Sequence, residues 1–76
     1  MQNAASQITP EYLPDGDAAR LIGVSAATLR NSRSRGTLLG HEAPQWVKLG
    51  RKVRYRRRDL LEWVERNAVE CRAAQS

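Results

Sequence analysis

KLGRKVRYRRRDLLEW, residues 48–63, carries seven basic side chains in its first eleven positions and then becomes an amphipathic pattern. The segment 46–56, WVKLGRKVRYR, alternates with a period of two, as a hairpin does when bent at Gly50-Arg51-Lys52. This reading places Val47, Leu49, Val53 and Tyr55 on one face, and Lys48, Arg54 and Arg56 on the other. A two-stranded ribbon is marginal by itself, so its apolar face must lie on helices. Its charged face and tip stay free to meet phosphates.

Helical periodicity flanks the ribbon on both sides. After it, Leu60, Trp63, Val64, Asn67 and Cys71 share one stripe, with Asp59, Glu62 and Glu65 largely off it. Trp63 is expected to be the largest core contribution, and Cys71 a small apolar residue near the end of that stripe. Before the ribbon, Pro14-Asp15-Gly16-Asp17 reads as a helix start, with Asp15 as N-cap and Asp17 in the positive first turn. That helix runs through Ala18, Ala19, Leu21 and Ile22 and stops at Gly23. Val24 is an apolar plug, Ser25 caps a second helix over 26–35, and Gly36 closes it. Two short helices on a Gly-Val-Ser turn make a helix-turn-helix, although an ordinary helical hairpin has the same spacing. Residues 37–45, TLLGHEAPQ, read as a loop with Pro44 as helix breaker and His41 as a surface residue. The chain is thus mainly α with a small β-hairpin.

Turning the second helix at 100° per residue from Leu29 puts Ala26, Ser32 and Arg33 on the core side. Ala27, Arg30, Asn31, Ser34 and Arg35 face the other way, with Thr28 at the edge. That outward face offers several kinds of hydrogen-bond donor and no acid. Arginine matches guanine, asparagine matches adenine, and serine or threonine serves either base or phosphate.

Charge supports the same partner. Residues 30–58 hold ten Lys/Arg against Glu42 alone, a net +9, while residues 1–29 and 59–76 each carry a net −2. Eleven of the thirteen cations are arginine, the side chain suited to bidentate contact with phosphate and guanine. Segregated charge of this kind attracts a polyanion and speeds encounter with it. Nucleic acid is the leading partner, ahead of an anionic membrane surface.

Other classes find little support. One cysteine and one histidine make neither an internal disulfide nor a zinc set, which suits a reducing cytoplasm. Apolar runs are a few residues long, and MQNAASQITP lacks the pattern of a signal peptide. There is no nucleophile–histidine arrangement, no glycine-rich phosphate cradle, and no carboxylate pair outside helix caps and surfaces. No enzyme activity, cofactor, metal or small-molecule ligand is expected.

With these elements in order, GVSAATLR (23–30) resembles the helix-turn-helix of the MerR superfamily. Together with WVKLGRKVRYRRRDLLEWV (46–64) it looks like the compact branch that holds excisionases and AlpA-type regulators. The resemblance spans residues 12–66, and its second half is the more specific. It implies a winged helix-turn-helix in which the second helix enters the major groove and the hairpin wing touches the adjacent backbone or minor groove. On the recognition helix it points to Ser25, Thr28, Arg30 and Asn31, to which the outward face adds Ser34 and Arg35. On the wing it points to Arg51, Lys52 and Arg54, to which the ribbon's charged face adds Lys48 and Arg56. Two departures stand out: Ser32 replaces a usual aromatic, and the 37–45 loop is longer than the usual connection.

The resemblance further implies a recombination directionality factor, bacterial and nucleoid-associated, that binds tandem sites, bends DNA and works with a tyrosine-type integrase. A small AlpA/MerR-like transcriptional regulator is the alternative, and an RNA-binding or adaptor domain a more distant one. Few residues follow Arg66, so a long dimerisation helix is not expected. The reading is a monomer in solution that self-associates head to tail on DNA. The expected organisation is a flexible arm over 1–11, the DNA-binding domain over 12–68, and a tail over 69–76.

Overall fold

The computed structural model describes residues 10–71. Its first two helices, α1 (Asp15–Ile22) and α2 (Ala26–Arg35), each stop at a glycine in left-handed backbone, Gly23 at φ 82° and Gly36 at φ 79°. A residue without Cβ enters that region at little cost, and the cap N–H groups return to the carbonyls of Ala19 and Ser32. Ser25 starts α2 as expected, its Oγ accepting the Thr28 backbone N–H at 3.1 Å. Ala18, Ala19 and Leu29 are buried in one core, so the two helices form the helix-turn-helix.

The start of α1 differs from the sequence reading. Pro14 is the N-cap, with no side-chain capping bond, and Asp15 is already inside the helix. Its carboxylate turns instead to Arg33 of α2. A charge-assisted, two-pronged pair is stronger than a bond to a neutral N–H.

The hairpin forms, in a different register. Strand β4 (Val47–Leu49) pairs antiparallel with β5 (Lys52–Arg56), placing Val47 opposite Arg54, Lys48 opposite Val53 and Leu49 opposite Lys52. The turn is therefore the two residues Gly50-Arg51, with Gly50 at φ 64°, not the three expected. Glycine in the first central position suits a two-residue hairpin turn. Losing one turn residue shifts β4 by one place and exchanges its faces. Val47 and Leu49 share a face with Lys52, Arg54 and Arg56, Val47 half-buried and Leu49 53% exposed. Lys48 shares the inner face with Val53 and Tyr55, opposite to where the alternation had put it.

A short strand β1 (Tyr12–Leu13) pairs with the other edge of β5, giving the order β1-β5-β4 with Leu13 opposite Tyr55. Leu13 and Tyr55 sink into the core, and Val53 packs against it. Helix α3 (Arg57–Asn67) follows β5 directly and adds Leu60 and Trp63. The result is three helices with small antiparallel strands, a winged helix-turn-helix.

The segment read as a loop is a second ribbon. Strands β2 (Thr37–Leu38) and β3 (His41–Glu42) pair across Leu39-Gly40, both at positive φ. Two-residue strands are too short for alternation to reveal. Leu38 is buried, and the Trp63 indole N–H donates to the Glu42 carbonyl at 2.6 Å, stapling this ribbon to α3. His41 is exposed and stands edge-on to the Trp63 ring.

At the other end, α3 stops at Asn67 with extended backbone at Ala68. Cys71, expected on the helical stripe, is thus outside the helix and exposed. Of the expected arm and tail, residues 1–9 and 72–76 lie outside the described residues. The Pro10 and Glu11 carbonyls accept hydrogen bonds from the Arg57 side chain and backbone, at 3.2 and 2.7 Å.

Trp63 is 4% exposed and joins two packing units, so truncating it removes both a core filler and the staple to Glu42. Trp63→Ala is expected to cost about 3–5 kcal/mol, enough to unfold a core this small. Circular dichroism is expected to show the loss of a cooperative melt; an ordinary melt would place Trp63 outside the core.

Candidate nucleic-acid interface

On α2, Leu29 and Ser32 are buried and Ala26 and Arg33 half-buried. Ala27, Thr28, Arg30, Asn31, Ser34 and Arg35 are all exposed, so the outward face reads as the helical wheel drew it. Arg30, Asn31, Ser34 and Arg35 make no side-chain hydrogen bond or ion pair to other described residues, leaving their donors available to a ligand. Ser25 and Thr28 are tied together: Ser25 Oγ accepts the Thr28 N–H and donates to Thr28 Oγ1 at 2.9 Å. Ser25 therefore fixes where the helix begins, while the Thr28 hydroxyl keeps its own proton to donate. Ser32, at the position where the resembling proteins carry an aromatic, satisfies its hydroxyl on the Leu29 carbonyl at 2.6 Å.

The wing residues are not equivalent. Arg51 and Lys52 sit exposed at the hairpin tip, with exposed Lys48 on the inner face of β4. None of the three has an ion pair among the described residues. Arg54 is half-buried and folds its guanidinium onto the Val53 carbonyl at 2.8 Å. Arg56 donates to Asp59 at 3.1 Å, and hydrogen bonds to Tyr12 and Asp59 hold its guanidinium above the ordinary arginine pKa. The tip thus offers the accessible cations, while Arg54 and Arg56 are engaged by the fold.

The residue that sequence reasoning passed over is Arg33. Its guanidinium donates to both Asp15 carboxylate oxygens, at 2.6 and 3.3 Å, and to the Tyr55 hydroxyl at 3.1 Å. It also lies 5.7 Å from the Trp46 ring centroid and 5.8 Å from that of Tyr55, within cation–π range of both. One signal for it was present: an arginine on the Leu29 side of the wheel needs an acceptor nearby. The hydrogen bond to Asp15 raises the Arg33 pKa. Burial raises the pKa of the Tyr55 phenol, partly offset by its bond from Arg33.

That shift sets an alkaline limit. The native state holds the Tyr55 proton at pH values where the unfolded chain has released it. Its contribution to stability is complete below about pH 10, the unfolded value, and is lost as pH rises through the native pKa. Tyr55→Phe is expected to cost about 0.5–1.5 kcal/mol at neutral pH, the worth of one hydrogen bond. It is also expected to flatten the fall in stability above about pH 10. Urea melts of both proteins across that range check it, and an unchanged alkaline fall would count against the assignment.

Among the described residues, no helix is long and apolar enough to cross a membrane, and no group of three or more His, Cys, Asp or Glu is placed to hold a metal ion. Comparison with the curated proteins and with solved structures finds no significant match. Residues 15–68 match the family described as helix-turn-helix domain, a span that runs from the first residue of α1 to just beyond the end of α3. The chain belongs to the helix-turn-helix domain family and is a small DNA-binding protein of that fold.

Proposed function

We propose that this protein is an architectural recombination factor of the excisionase kind, acting by binding and bending duplex DNA and not by catalysis. The observation that carries the reading is the acid-free, exposed outward face of α2, on the same domain as a hairpin tip of exposed cations. In this reading Arg30 and Asn31 contact base edges in the major groove, with Thr28, Ser34 and Arg35 beside them and Ser25 setting the helix start. Arg51, Lys52 and Lys48 supply phosphate contacts, which give affinity and register rather than sequence choice. Arg54 and Arg56 shape the wing and add to its field.

The excisionase assignment draws on the likeness of residues 46–64 to that branch of the family. The charge layout agrees with it, since a net +9 centre flanked by two net −2 segments suits neighbours packed along one duplex. Within the described residues α3 ends at Asn67, so it offers no long helix for a coiled-coil dimer. A tyrosine-type integrase is the proposed catalytic partner, and the bacterial cytoplasm the proposed setting.

Affinity is expected to fall with salt at a log–log slope of roughly −4, as for four or five neutralised phosphates. Arg51→Ala is expected to weaken binding to all sequences alike and to flatten that slope. Arg30→Ala or Asn31→Ala is expected to relax preference at one or two base pairs by about 1–3 kcal/mol. Equal losses on cognate and random DNA would reduce these two residues to backbone contacts.

A footprint titration on the ends of the mobile element separates the two roles. An excisionase is expected to fill several directly repeated sites cooperatively, with a measurable bend, from a protein that sediments as a monomer. One inverted-repeat site filled by a stable solution dimer would identify a conventional transcriptional regulator instead.

A further inference from the structure

The recognition helix and the wing are joined by a long path along the chain, and their strands and helix have few direct contacts. Eleven residues, 36–46, separate the end of α2 from the start of β4, and four of them are spent on the β2–β3 ribbon. The covalent connection therefore does not dictate where the hairpin sits relative to α2. Direct contact is also limited: α2 packs chiefly on α1 and β2, while β5 packs on β1, α1 and α3 and meets α2 at the buried Tyr55 ring. Among the described residues, Arg33 makes a polar link directly from α2 to the hairpin: it reaches the Tyr55 hydroxyl on β5 and lies by Trp46 just ahead of β4. Asp15 on α1 holds the other side of the same guanidinium.

We propose that Arg33, clasped by Asp15, Tyr55 and Trp46, is a positioning residue that sets the recognition helix and the wing at the spacing needed to engage one duplex together. This role rests on the reading that α2 and the hairpin tip both contact DNA. The chemistry favours it over a further phosphate contact. The Arg33 side chain is 16% exposed, and its charge is already neutralised by the Asp15 carboxylate. A planar guanidinium can bond a carboxylate along one edge, reach a hydroxyl from another, and present its face to aromatic rings. A lysine ammonium in the same place keeps the charge but has no such fork. Two contact sites held at fixed spacing gain from each other, because the second docks at high effective concentration once the first is bound. Loosening the clasp reduces that gain without removing any group from the DNA surface.

The test is a coupling measurement on the full chain with duplex DNA as the probe. Arg33→Lys opens the fork, and Asp15→Asn, at a partly exposed helix start, gives a milder opening should Arg33→Lys melt below the assay temperature. Circular dichroism first establishes the folded fraction. With wild-type Arg33, the pair Arg51→Ala and Lys52→Ala is expected to weaken binding about tenfold. With the clasp opened, the same pair is expected to cost less than about twofold, while Arg30→Ala keeps its full effect. The salt slope is expected to become shallower by about two. Neither clasp variant loses net positive charge, so lost charge does not explain such a change. A residue important only for stability would lower the folded fraction and leave the wing penalty intact; an undiminished tenfold penalty in the clasp variants therefore overturns the proposal. If the wing pair costs nothing even with Arg33 in place, the wing reading fails, and the positioning role fails with it.

Discussion

The guanidinium of Arg33 is the point at which the parts of this domain meet. α1 contributes Asp15, β5 contributes Tyr55, and the approach to β4 contributes Trp46. Each is a partner that the others cannot replace, because a carboxylate, a hydroxyl and a ring satisfy different parts of one planar cation. Tyr55 completes the logic from the other side. Its ring is fully buried with Leu13, Leu29 and Leu60, so the hydroxyl has no access to bulk water and needs the donor that Arg33 supplies. The apolar core and the polar clasp therefore stand on the same residue.

Around that centre the domain tolerates a poorly balanced charge distribution. Only three ion pairs occur among the described residues: Arg33–Asp15, Arg56–Asp59 and the exposed Arg20–Asp17. Of the eight arginines of the 30–58 segment, six thus have no acidic partner among the described residues. α3 even begins with Arg57 and Arg58 at its positive end, where cations are unfavourable, with Asp59 the one acid in the turn. Such a surface costs the free protein some stability and returns it when a polyanion binds. Binding that relieves self-repulsion also stabilises the folded state by mass action.

The two ribbons show how little backbone pairing is needed to place a site. The β2–β3 pair has two residues on each strand, yet it carries Leu38 into the core and offers the Glu42 carbonyl to Trp63. The hairpin is only slightly longer, and β1 contributes two residues to its free edge. The β2–β3 ribbon and β5 are held by side chains beneath them, through Leu38, Val53 and Tyr55, whereas β4 is held by its ladder to β5.

Local chemistry decided much of this protein directly from the sequence. The caps at Ser25, Gly23 and Gly36, the two-sided wheel of α2 and the burial of Trp63 depend on interactions within one or two turns of helix, or on a strong apolar stripe. The helix-turn-helix and the acid-free face were legible for that reason. At Asp15 and in the hairpin, the structure overruled the reading through interactions that helical or strand periodicity does not report. Asp15 left its capping role because Arg33, eighteen residues on, offered a better bond. The faces of Val47, Lys48 and Leu49 turned on whether the hairpin turn held two residues or three, a choice alternation alone cannot make because either register keeps a period of two. Periodicity fixes which residues share a strand face. The packing of Tyr55 and Val53 against the helices fixes the inner face of β5, and the two-residue turn then decides how β4 is matched to it, and so which cations the wing presents.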